Sequence, residues 1–101
     1  GDLYMLEREQ FQNLASGGAM AQLTPYIESG ALSTGDIDLT AGYVTDPETG
    51  TKYLMGVPAG TLTGLEAYGI DPEGCVMGLL ANGGNLDNTV KLMQWLIDNM
   101  R

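Results

Sequence analysis

Histidine is absent from this sequence, which removes the commonest general base at neutral pH. The Ser-His-Asp and Cys-His arrangements and most zinc sites are lost with it. Cysteine occurs once, at Cys75, so no disulfide closes within the chain and a disulfide scaffold is excluded. Only four residues are basic, Arg8, Lys52, Lys91 and Arg101, and they are scattered. A phosphate backbone needs clustered Lys and Arg, so nucleic acid is not an expected partner. Anionic lipid is disfavoured for the same reason. No apolar run approaches the roughly 20 residues of a membrane helix, so no membrane association is expected. The stretch from Gly74 to Gly84 is too short and too glycine-rich. No basic stretch followed by an apolar one opens the chain, so no signal peptide is visible. Gly1 stands where an initiator Met would, which suggests a processed start or a piece of a longer protein. The cytoplasm is the favoured location, with an exported form lacking its signal left open.

What is present is acidic and ordinary in apolar content. Thirteen acids against four bases give a formal charge of -9, and 44% of the residues are hydrophobic. The length suits one domain over residues 1–101, with a core that needs no metal. The acids read first as a solubilising surface and second as a docking face for a basic partner. Fifteen glycines are spread along the chain, as turns between short elements are.

Residues 3–6 are apolar and suit a strand or a first helical turn. Glu7 to Ala15 reads as helix, closed by Gly17-Gly18. Ala19 to Ser29 has helical spacing at Met20, Leu23 and Ile27, and Pro25 breaks it near Leu23, with Thr24 as cap. Ile37 to Thr45 and Thr51 to Val57 read as a hairpin across the turn Asp46-Pro47-Glu48-Thr49-Gly50. Thr61 can cap a short helix ending at Gly69. Asp71-Pro72-Glu73 reads as a helix start, which places Cys75, Val76, Leu79 and Leu80 on an inward face as far as Asn82. The last helix starts at Asn85 or Asp87 and runs to Met100. Leu86, Val90, Leu92, Met93, Leu96, Ile97 and Met100 form its apolar half. The expected fold is α+β: a small antiparallel sheet, made of a hairpin and a candidate third strand at residues 3–6, packed against four or five short helices. The element order has no βαβαβ pattern and argues against a doubly wound nucleotide fold.

The candidate chemistry is thin. A helix N-terminus could activate Cys75, but a small buried hydrophobe is the favoured reading. Asp36, Asp38, Asp46 and Glu48 lack the alternating dozen of a calcium loop and read as solvated. Gly56 to Thr61 has no Lys after Gly60, so it is no phosphate-binding loop. No catalytic, cofactor-binding or metal-ligating residue is therefore expected, and no cofactor. Tyr43 and Tyr53 would stand on neighbouring strands. Trp95 falls about 140° round the last helix from Val90, outside the apolar stripe. These three form the candidate interaction surface, since Tyr and Trp combine apolar area with a polar tip. The favoured function is a non-enzymatic protein-interaction or accessory domain that binds a protein partner or itself. A small carboxylate- or Cys-dependent enzyme and a structural subunit of a larger assembly are the alternatives.

Overall fold

A computed structural model describes residues 2–101. The fold is α+β, with a three-stranded and a two-stranded antiparallel sheet packed against helices. Strand β1 (Leu3–Glu7) runs into helix α1 (Arg8–Ser16), and helix α2 (Thr24–Ser29) follows. A 3-10 turn at Thr40–Gly42 leads into β2 (Tyr43–Thr45) and β3 (Lys52–Leu54). Then come β4 (Gly56–Pro58), a 3-10 turn at Thr63–Tyr68, β5 (Cys75–Leu79) and helix α3 (Leu86–Met100).

The expected turn at residues 46–50 joins β2 to β3. Asp46 accepts the Glu48 N–H at 2.8 Å, and Gly50 takes φ +72°. The hairpin is shorter than the alternation suggests. Asp38 accepts hydrogen bonds from the Thr40 N–H and hydroxyl, which favours a turn over a strand at residues 37–42. Gly42 packs so tightly on β4 that a Cβ there would meet the Gly56 carbonyl at 1.9 Å. Past Leu54 the chain changes sheets, and β4 pairs with β5, not with β2.

The largest departure from expectation is the segment 71–82, which holds β5 in place of a helix. The Asp71 carboxylate accepts the Glu73 N–H at 3.0 Å, as a helix cap could, but Gly74 turns to φ +74° and ends the helical path. The run Cys75-Val76-Met77-Gly78-Leu79 is then the central strand, buried on both faces. A short continuous apolar run is where helix and buried strand look alike. Residues 3–6 do supply a third strand, but it pairs with β5, from Leu3 opposite Leu79 to Glu7 opposite Cys75. Ala19–Leu23 is extended where helix is expected. Its Ala21 N–H donates to the Leu79 carbonyl at 2.7 Å, and Met20 bridges Leu80. Helix α2 carries Pro25 in its first turn as expected, but Leu23, not Thr24, flanks it, without a side-chain cap. Thr61 likewise caps nothing, and Leu62 precedes the 3-10 turn.

The three-stranded sheet separates two cores. On one face Val57, Met77 and Leu79 meet Val90, Met93 and Ile97 of α3, with Leu23, Leu32 and Leu62 closing the sides. On the other face Val76 packs with Phe11 and Ala15 of α1, Met20, Val44 and Met55. Helix α3 is capped by Asn85, whose side chain accepts the Asn88 N–H at 3.2 Å. Its stripe is narrower than the sequence suggests, since Leu92 is exposed and Leu86 and Leu96 are half-buried. Gln94 ties α3 to the loop after α2. Its carbonyl accepts the Ser33 N–H at 2.6 Å, and its amide donates to the Ser33 carbonyl at 3.0 Å.

Candidate functional site

The hairpin does not unite the two tyrosines. Tyr43 stands opposite Leu54, and Tyr53 opposite Val44. These are successive cross-strand pairs, so they point to opposite faces. Tyr43 is exposed, and its carbonyl accepts from the Gln12 side chain at 3.1 Å. Tyr53 is half-buried and lines a groove of about 300 Å3 with Ala15, Gly18, Asp46, Glu48 and Met55. Its lining includes two acids and a tyrosine but no Lys or Arg.

Trp95 lies elsewhere and in different company. It is 52% exposed on α3, as its angular position suggests. The 3-10 turn Thr63–Tyr68 packs against the C-terminal half of α3 so closely that a Cβ on Gly64 would come 2.8 Å from the Met100 carbonyl oxygen. Leu65 is buried by this contact, and Gly69, at φ +79°, turns the chain so that Ile70 emerges beside it. A groove of about 330 Å3 results, lined by Leu65, Tyr68, Ile70, Trp95, Leu96 and Met100. Its floor, Leu65 and Met100, is buried, while Tyr68 is 71% exposed and Ile70 and Trp95 stand at its rim. The lining is hydrocarbon and aromatic throughout. Asn99 donates to the Trp95 carbonyl at 2.8 Å, which holds the helix backbone without entering the groove. Next to Ile70 a shallower depression carries Glu66 and Asp71, so one end of the apolar groove has an acidic rim.

Tyr68 and Ile70 were not among the expected site residues. They flank Gly69, where the sequence suggests the end of a short helix, and only the docking of the 3-10 turn on α3 puts them beside Trp95. A further groove, about 430 Å3 and lined by Tyr26, Ser29, Ala31, Asp87, Val90 and Lys91, carries one acid and one base four residues apart on α3.

The titratable groups whose pKa is shifted, Asp36, Asp38 and Cys75, line none of these grooves. Asp36 is held below the usual carboxylate range by its hydrogen bond to Arg101 and by that charge. Asp38 is lowered by the Thr40 hydroxyl and N–H. Although they are two residues apart, each has its own local partner. Cys75 sits at the start of β5, not on a helix. Burial, then Glu7 and Asp71, push its thiol up, the direction opposite to activation. Among the described residues no group of three or more Cys, Asp or Glu side chains could hold a metal, and no helix is long and apolar enough to cross a membrane. No family model matches this chain, and neither the curated proteins nor the solved structures give a significant match.

Proposed function

We propose that this chain is a non-enzymatic protein-interaction domain that grips one short apolar segment of a partner, flanked by Lys or Arg, in the Trp95 groove. The carrying observation is the joint exposure of Tyr68, Ile70 and Trp95 over a buried floor of Leu65 and Met100. Aromatic side chains in an apolar concavity are what binding hot spots are made of. The acidic rim at Glu66 and Asp71, on a chain of net charge -9, selects basic flanks and repels acidic ones. The same charge opposes a second copy in this groove. The three exposed side chains, Tyr68, Ile70 and Trp95, offer on the order of a few hundred Å2, below the roughly 800 Å2 per partner of a standard interface.

Random-peptide display on the native protein tests this reading, with Trp95→Ala as counter-screen. Selected peptides are expected to pair a Leu or aromatic anchor with Lys or Arg. Their binding should shift the emission of the only tryptophan to the blue and vanish in W95A and Y68A. Peptides that bind both variants as well as the parent would overturn it. A dimer of the parent lost in W95A would put a second copy in the groove.

A further inference from the structure

The outer edge of β1 is a second surface, independent of the Trp95 groove. Strand β1 borders the three-stranded sheet, whose order is β1-β5-β4. The Leu80 N–H donates to the Asp2 carbonyl and the Arg8 N–H to the Gly74 carbonyl, both at 3.1 Å. These bonds fix the alternation of the ladder. Asp2, Tyr4, Leu6 and Arg8 turn their main-chain groups toward β5, and Leu3 and Met5 turn theirs outward. Among the described residues no turn, loop or side-chain hydrogen bond reaches the main chain of Leu3 or Met5. The opposite edge is closed: the Thr40–Gly42 turn packs on β4, Gly42 accepts the Met55 N–H at 2.9 Å, and Pro58 has no N–H to offer. Edge strands are ordinarily blunted by Lys, Pro, a bulge or a covering loop. Leu3-Tyr4-Met5-Leu6 carries none of the first three and pairs without a bulge.

We propose that β1 pairs with β1 of a second copy of this chain, antiparallel about a two-fold axis through Met5. That register puts Met5 opposite Met5, Tyr4 opposite Leu6 and Leu3 opposite Glu7 of the other copy. The two Met5 residues then exchange their outward N–H and carbonyl groups, and the Glu7 N–H meets the Leu3 carbonyl, while the Glu7 carbonyl is held by the first hydrogen bond of α1. It also puts Asp2 opposite Arg8 twice, once on each side of the axis. Neither Asp2 nor Arg8 makes an ion pair among the described residues. A slip of two residues, the smallest that keeps outward groups facing, sets Asp2 against Leu6 or Tyr4 against Arg8. Only the register centred on Met5 matches unlike charges, and cross-strand charge pairs are a recognised source of register selection. The contact is small and the two chains share a net negative charge, so the dimer is transient and concentration-dependent.

Sedimentation equilibrium over a concentration series reads this out. The parent is expected to show a monomer–dimer equilibrium. Met5→Pro removes one outward N–H and no bond to β5, and should leave the protein monomeric with an unchanged circular dichroism spectrum. Asp2→Arg or Arg8→Asp alone should weaken association by about tenfold, and the two together should restore it. Should M5P fail to fold, the charge exchange decides. A parent that stays monomeric at all concentrations, a dimer that survives in folded M5P, or single exchanges without rescue in the double variant would overturn the proposal. Because Trp95 takes no part, a dimer lost in W95A but retained in M5P refutes this pairing and leaves the groove as the contact. Peptide binding without a dimer refutes only the pairing.

Discussion

The two faces of the three-stranded sheet are packed by different means. Beneath α3 the core is assembled from many aliphatic side chains, contributed by β3, β4, β5, α3, the Thr63–Tyr68 turn and the connecting loops. On the α1 face one ring does most of the covering. Gly56 of β4 and Gly78 of β5 are cross-strand partners, and a Cβ on either would meet the ring of Phe11. The ring therefore lies across a bare patch of two neighbouring strands, and its fully buried position depends on the absence of side chains beneath it. A core spread over many residues loses a smaller share of its packing with any one of them. A core built on one aromatic over a glycine pair concentrates its stability there.

The largest expected effect follows directly. Phe11→Ala should cost about 3–5 kcal/mol, the range for emptying a buried aromatic site, because glycine leaves nothing that can collapse into the space. Urea unfolding with an unchanged m-value would measure it. If Ile97→Ala on the opposite face costs as much or more, the contrast between a concentrated and a distributed core fails.

Along α3 the same experiment grades three successive residues. Ile97 is buried, Leu96 half-buried and Trp95 half-exposed, so alanine substitutions should destabilise in that order. Ile97→Ala should lose roughly 2–5 kcal/mol. Trp95→Ala should fall near the scatter of about 0.5 kcal/mol for surface positions, because its role lies in the groove. A W95A variant as unstable as I97A would make Trp95 a core residue.

The glycine pair sharpens the comparison from the other side. A Cβ on Gly56 would come 2.6 Å from the Val76 Cγ1 and 2.7 Å from the Phe11 ring. On Gly78 it would come 2.2 Å from the Met20 Cε but 3.3 Å from Phe11. The end of a methionine moves easily, whereas valine is stiff at χ1. Gly56→Ala should therefore cost about 1–3 kcal/mol as overpacking, and Gly78→Ala less. Combined with F11A, the G56A penalty should shrink, since one of its two obstructions is gone. Equal penalties for G56A in both backgrounds would show that the ring does not rest on Gly56.

How much of this was legible in the sequence depends on the range of the interactions involved. Helix α3 and the turn at residues 46–50 are local events, written in periodicity and turn residues, and they form where expected. The strand at Leu3–Glu7 is visible as an apolar run, but its partner is not. Segment 71–82 misleads because Asp71-Pro72-Glu73 offers the same side-chain geometry to a helix start and to a turn before a strand. Gly74 and the central place of β5 in the sheet decide between them, and the latter is a property of the whole fold. The site behaves alike. Trp95 lies off the stripe by simple angular placement, while Tyr68 and Ile70 reach it through the contact of Gly64 with Met100. Tyr43 and Tyr53 illustrate the converse. Being on neighbouring strands is legible, but sharing a face depends on register, and here the register separates them.

The smallest expected effect concerns the C-terminal end of the α3 face, where Arg101 reaches back to Asp36. Asp36 and Asp38 are two residues apart and both lie below the ordinary carboxylate pKa, but for different reasons. Asp36 owes its shift to the hydrogen bond and charge of Arg101, and Asp38 to the Thr40 hydroxyl and N–H. A carboxyl whose pKa is lower in the folded than in the unfolded chain stabilises the fold above the unfolded value. That contribution fades as pH falls from there through the folded value. In Arg101→Ala the Asp36 pKa should rise toward 3.8 while Asp38 stays where it was. Carboxyl titration followed by NMR checks both in one experiment, with Asp38 as the internal control. Both groups of the ion pair are solvent-accessible and screened, so the stability of R101A near neutral pH should be hard to tell from that of the parent. If Asp38 moves together with Asp36, the loop from Ser33 to Asp38 is fastened by Arg101 as a unit. The Gln94 bonds to Ser33 would then be insufficient to hold it on α3, and the distributed core would have one concentrated tie of its own.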